Sequence, residues 1–207
     1  MKKRLLLLMV LISFSFAENV NKPASEVSET NDKEFLLNYF QQTTNDLQKQ
    51  VEGLSETQLQ YKPSEEQWSV SQVLEHIILT EKMIYGMLQE AMAKPANPER
   101  RAEMQFSDEQ IIQGMTDRSR KAKASEEITG KGKYTNAGEA MEELKAQRQI
   151  VFDYLKNIPV KEMRDRVNDS PFGPVDAYQS FLFMAGHTAR HTLQIEEIKT
   201  YETFPSE

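Results

Sequence analysis

The sequence predicts an all-α fold, a four-helix bundle with a long crossover between its second and third helices. Three observations predict it. Four stretches of about twenty residues carry apolar side chains at helical spacing. Glycine and proline number only eight each in 207 residues. No stretch shows the alternation of a half-buried strand. Long amphipathic helices bury their apolar stripes against one another, and four of them close a bundle.

The first helix is expected from about Asp32 to Val51, with Phe35, Leu36, Tyr39, Phe40, Thr43 and Leu47 in phase. Asp32 is the expected N-cap and Gly53 the stop. Residues 53–68 form a connection containing Pro63 and ending in Trp68. The second helix starts at Ser69 or Ser71 and runs to about Ala93, before Pro95 and Pro98. Its broad apolar arc includes Val70, Val73, Leu74, Ile77, Ile84 and Leu88. Residues 94–136 make the crossover. Within it Ser107 opens a shorter helix to about Ala122, with Gln110 at the capping-box position. Residues 123–136 read as a polar loop. The third long helix covers about 137–157, Pro159 stops it, and 168–174 read as a turn. The last runs from about Val175 to Tyr201. The bundle domain is thus placed at residues 32–207.

The N-terminal residues stand apart. Lys2, Lys3 and Arg4 precede a twelve-residue apolar run, Leu5 to Phe16, broken only by Ser13 and Ser15. Ser15 and Ala17 supply the small residues of a cleavage site. This is the pattern of a signal peptide over 1–17, and the run falls short of the ~20 residues that span a bilayer. The expected location is therefore periplasmic or secreted, with no membrane association after cleavage. Residues 18–31 are polar and read as a flexible linker.

Removing 1–17 takes three of 25 basic residues and none of the 32 acidic ones, moving the formal net charge from −7 to −10. An acidic chain is a poor match for nucleic acid, whose phosphates need clustered Lys and Arg. The chain has no cysteine, which excludes disulfides, thiolate nucleophiles and thiolate metal ligands. Any metal must be held by nitrogen and oxygen. There is no G-x-S-x-G elbow, P-loop or dinucleotide fingerprint.

The three histidines carry the chemistry. His187 and His191 are four residues apart on a predicted helix, so both imidazoles share one face. That spacing suits two nitrogens on one metal, and equally two hydrogen-bonded core histidines. His76, the remaining histidine, also lies on the apolar side of its helix. A buried imidazole needs a partner, and one ion serves all three. The expected site is one divalent metal ion held by His76, His187 and His191, with an open position for water. Three protein ligands plus water is a catalytic arrangement for zinc. Zinc is the first choice of metal, with nickel, iron, copper or manganese also open. Gln194 shares the face of His191 and could reach the bound water or a substrate, or equally serve as a surface-lining amide. Glu81 and Arg148 fall inside apolar arcs and are expected to pair with each other. Trp68 reads as a cap on the core.

W68-S-V-S-Q-V-L-E-H76, Arg148 after Leu144, and F172-G-P followed by H187-T-A-R-H191-T-L-Q194 together resemble the DinB-like superfamily over roughly residues 32–201. The resemblance implies a four-helix bundle with this long crossover. It implies a divalent metal bound by one histidine of the second helix and two of the fourth, which map onto His76, His187 and His191. Relatives include metal-dependent transferases and isomerases that use bacillithiol or mycothiol. Homodimers are frequent among them, which leaves a homodimer open here. Export would separate this chain from cytoplasmic thiols, so hydrolysis of an unknown small molecule is favoured over thiol transfer. The competing readings are a non-catalytic, metal-stabilised module that binds a small ligand, and a metal-free bundle that binds a protein.

Overall fold

The computed structural model describes residues 29–119 and 123–206. The signal segment 1–17 and residues 18–28 of the linker lie outside them. The described chain is helical apart from one small hairpin. Its elements are α1 (Glu29–Val51), α2 (Glu56–Gln60), α3 (Val70–Met92), α4 (Asp108–Thr116), α5 (Ala137–Asn157), α6 (Val160–Arg164), β1 (Val167–Ser170), β2 (Gly173–Asp176) and α7 (Ala177–Lys199). Two short 3-10 turns, Pro98–Glu103 and Glu126–Ile128, lie in the crossover.

The local signals explain most boundaries. Ser69 caps α3 and Ser107 caps α4, each in a full capping box closed by Gln72 or Gln110. The serine oxygen and the glutamine side chain each satisfy a backbone N–H that the first turn leaves unpaired. Gly53, at φ +77°, follows α1 in the left-handed conformation that ends many helices.

Four expectations need correction. Residues 29–31, read as linker, are the first turn of α1. Asp32 is therefore not an N-cap; it lies inside α1, where its carboxylate receives Arg164 at 3.2 Å. The crossover helix stops at Thr116 instead of Ala122. Residues 168–174 are more than a turn: β1 and β2 pair antiparallel from Val167↔Asp176 to Ser170↔Gly173. Strands of four residues are too short for a period of two to stand out in the sequence.

The packing order was not legible in helix phases. α7 lies between α1 and α3, and α5 closes the ring on the other side, so α1 and α3 face each other across the bundle. Side-chain contacts fix the directions. Lys199 of α7 reaches Gln50 at the end of α1, while Tyr178 reaches Asp32 at the other end, so α1 and α7 are parallel. Gln67, before α3, meets Tyr201, after α7, so α3 is antiparallel to α7. Ser71 of α3 meets Tyr134 just before α5, so α3 and α5 are parallel. Two parallel neighbours of this length cannot be joined by a tight turn. The chain must travel back along some 30 Å of helix, and this is the reason for the crossover.

The core is divided. One apolar cluster gathers Leu36, Phe40, Ile84, Val151, Phe181 and Met184; the other gathers Leu47, Leu74, Ile77, Leu144 and Ile195. Between them each long helix contributes buried polar residues: Thr43 and Thr44, Thr80 and Glu81, Arg148, and Thr188 and Thr192. Arg148 and Glu81 are the pair expected from the sequence, 2.5 Å apart and 1% and 0% exposed. Arg148 also donates to the Phe40 carbonyl at 2.7 Å, to Thr43 at 3.0 Å and to Thr44 at 2.5 Å. It reaches Thr188 at 2.9 Å. One guanidinium thus ties all four long helices.

At the far end Arg164 of α6 donates to Asp32 of α1, Asp108 of α4 and Asp176, the N-cap of α7. Burial, with the Asp108 charge adding to it, outweighs Arg164 and lifts the Asp176 carboxyl to about 6. The folded state therefore holds this proton more tightly than the unfolded chain, whose aspartates titrate near ~3.9. The contribution to stability is complete below that value and is lost as pH rises through about 6. The stability difference between the wild type and Asp176→Asn should shrink by roughly 2–3 kcal/mol between acid and neutral pH. Urea titrations at pH 4, 5, 6 and 7 measure it, and a constant difference would contradict the assignment.

Candidate metal centre

His76 sits two turns into α3, and His187 and His191 lie one turn apart in the middle of α7. The antiparallel packing of these helices brings the rings together. Centroids are 5.0 Å apart for His76 and His187, 4.6 Å for His76 and His191, and 4.4 Å for His187 and His191. One nitrogen of each lies within 4.8 Å of the others, an arrangement that can hold a metal ion. Nε2 of His187 and Nε2 of His191 are 3.1 Å apart. Tetrahedral zinc bonds of 2.0–2.1 Å would place two nitrogens about 3.3 Å apart, so the His187–His191 pair matches such an ion and His76 completes the donor set.

The protonation states also fit. Burial pushes His76 below the ordinary imidazole range. Burial and then the neighbouring imidazoles push His187 and His191 well below it. All three are neutral at pH 7, the state a metal needs. A carbonyl can only accept, so the Ile128 oxygen 2.6 Å from His76 Nδ1 assigns the proton to that nitrogen and leaves a lone pair on Nε2. The Gln194 amide oxygen does the same for His191, 2.8 Å from its Nδ1. Gln194, expected from the sequence to reach water or substrate, thus has its oxygen turned to His191. His187 Nδ1 is buried and meets no hydrogen-bonding partner among the described residues.

The surroundings are aromatic and cationic. Trp68 meets the His76 ring edge-on at 4.9 Å while its other side packs on the core, so it does more than cap the bundle. Phe183 stacks on His187 at 6.4 Å. Arg190 donates to the carbonyls of Met115 and Asp117, holding the end of α4 against α7. Its charge acts on His187 and His191, and that of Arg118 on His191. Glu81 and Arg148 do not join the histidines. They lie in the polar layer beside them, connected through Thr188, which donates to Glu81 at 2.6 Å. The Ile128 carbonyl has no sequence signal, because any residue supplies a carbonyl.

The sequence model of the DinB superfamily matches residues 39–195. The chain belongs to the DinB superfamily. The match spans His76, His187, His191, Glu81, Arg148 and Gln194. An uncharacterized protein of Bacillus subtilis (strain 168), YuaE, is 24% identical over 150 residues, covering 72% of this chain and 88% of YuaE. Among solved structures, YfiT from Bacillus subtilis is similar with a TM-score of 0.58 at 14% identity, covering 86% of this chain and 91% of YfiT. YfiT is described as a probable metal-dependent hydrolase with an unusual four-helix bundle topology. At that identity the likeness establishes the fold, here the DinB-superfamily bundle.

Proposed function

We propose that this DinB-superfamily protein is an exported metal-dependent hydrolase of a small molecule. The observation that carries the reading is the convergence of three neutral, largely buried imidazoles on one point. His76, His187 and His191 would hold one divalent ion, with zinc as the first choice. A bound ion of this kind supplies Lewis acidity, lowering the pKa of a water or polarising a substrate heteroatom. Ile128 and Gln194 keep two ligand nitrogens in the required tautomer. Trp68 and Phe183 present apolar surface that keeps bulk water from the rings. Arg190 and Arg118 bring positive charge toward His187 and His191, and Glu197 pairs with Arg118 at 2.6 Å.

A purely structural ion is the weaker reading, because the Arg148 network already joins the four long helices without one. Export rests on the sequence pattern of residues 1–17; among the described residues no helix is long and apolar enough to cross a membrane. The test is metal analysis of the purified chain, followed by turnover of ester and amide panels. Activity should require one equivalent of metal and disappear with a chelator and in His76→Ala. It should persist in Asp153→Ala, a change at an exposed site on α5. Absence of bound metal with no uptake on reconstitution would overturn the metal reading. A loaded protein inert on esters and amides would overturn hydrolysis.

A further inference from the structure

One stripe of α3 grips the backbone of the loop that precedes α5. Ser71 Oγ accepts the Tyr134 N–H at 3.0 Å and donates to the Tyr134 carbonyl at 2.7 Å. Gln72 donates to the Gly130 carbonyl at 3.2 Å. A single oxygen of Glu75 accepts the N–H groups of Lys131, Gly132 and Lys133 at 2.6, 2.8 and 3.2 Å. His76 Nδ1 donates to Ile128, the last contact of the series. Residues 71, 72, 75 and 76 lie on one helical face.

The loop lies flat on that face because glycine allows it. A Cβ on Gly130 would stand 1.9 Å from the Gln72 carbonyl oxygen, and Gly132 has φ +81°. The Glu75 side chain is 8% exposed. A largely buried carboxylate oxygen drawing in three amides makes stronger contacts than neutral groups do. Only Thr129 and Gly130 separate Ile128 from Lys131, the first amide that Glu75 holds.

We propose that Glu75 is a positioning residue for the metal centre. By gathering the amides of 131–133 it keeps the Ile128 carbonyl on His76 Nδ1. This fixes the His76 tautomer, aims its Nε2 at the other two histidines and raises the basicity of that nitrogen. Glu75 itself touches no ion and no substrate. The proposal rests on the metal-site reading above.

Four variants of the full chain test it: Glu75→Ala, Glu75→Asp, Glu75→Gln and, as a control, Ser71→Ala. Zinc affinity is measured by competition with a chromophoric chelator, the His76 tautomer by nitrogen-15 NMR of the metal-free protein, and folding by thermal melting. Glu75→Ala should weaken zinc binding about 10–100-fold and move His76 away from the Nδ1–H form. Glu75→Asp, which draws the acceptor back, should shift both in the same direction. Glu75→Gln, which keeps an acceptor oxygen at the right reach and loses the charge, should shift both less than Glu75→Asp does. Ser71→Ala should lower the melting temperature and leave affinity and tautomer unchanged. Where Glu75→Ala does not fold, the contrast of Asp with Gln decides. Lower melting with wild-type zinc affinity and an unchanged tautomer in both Glu75→Ala and Glu75→Asp would overturn the proposal. If the wild type takes up no zinc, the metal reading falls and the positioning of its ligand falls with it, whereas zinc uptake that is indifferent to Glu75 sinks this proposal alone.

Discussion

Arg148→Ala should lower folding stability by about 3–5 kcal/mol, a large part of the roughly 5–15 kcal/mol that holds a typical domain together. The Arg148 guanidinium gives hydrogen bonds to Glu81, Phe40, Thr43, Thr44 and Thr188 at the level where the apolar core is divided. Removing it leaves the Glu81 carboxylate at 0% exposure without its counter-charge. The cost comes mainly from that abandoned charge, because an intact buried pair is often worth little against an apolar replacement. Arg148→Met combined with Glu81→Leu should therefore recover at least half of the loss. Urea denaturation of the wild type, the single variant and the double variant measures both effects. A loss below 1 kcal/mol in Arg148→Ala would show that water or a neighbouring group takes over the role of the guanidinium.

The second large effect concerns the ion. His187→Ala should weaken zinc binding by roughly a hundredfold. Zinc sites in small domains release about 10–16 kcal/mol, which shared over four ligands is about 3 kcal/mol each, or two decades of affinity. His187 is fully within the cluster, its ring 4.4 Å from that of His191 and 5.0 Å from that of His76, and its Nε2 stands 3.1 Å from that of His191. Gln194→Ala should cost less, about tenfold, because it removes a hydrogen bond to a ligand and keeps the ligand. Competition titrations on the same preparations give both numbers. Equal affinities in wild type and His187→Ala would remove His187 from the ligand set.

The polar layer places these two predictions side by side. Thr188 follows His187 directly and bonds to both Glu81 and Arg148. The network that closes the bundle therefore also sets the rotation of α7 that carries the histidines. Arg148→Ala should disturb zinc affinity as well as folding, although Arg148 contacts none of the three rings.

Much of this was legible in the sequence. The phases of apolar residues located α3, α5 and α7 to within two residues, since long helices repeat their pattern enough times to define it. A serine followed by glutamine marked the start of α4, and α3 starts after Ser69, one of the two serines the sequence offered. The inward phase of His76, His187 and His191 singled out the residues that the structure gathers, and Glu81 and Arg148 announced a buried pair. The five-residue helices α2 and α6 and the β1–β2 hairpin left no such trace, because a segment that short does not complete a readable period.

What the sequence by itself determined is the set of helices, the face each one buries, and the presence of three imidazoles on such faces. These are local properties, set by side-chain spacing and capping chemistry. Only the tertiary structure decided that α3 lies antiparallel to α7, that α3 and α5 run parallel and so demand the crossover, and that the three rings meet. It alone brought the Ile128 carbonyl to His76. Those outcomes depend on contacts between residues 52 to 134 positions apart, and on backbone groups that every residue carries. The closing of the His76, His187 and His191 cluster is thus a property of packing, written in the helix faces and completed only when α7 settles between α1 and α3.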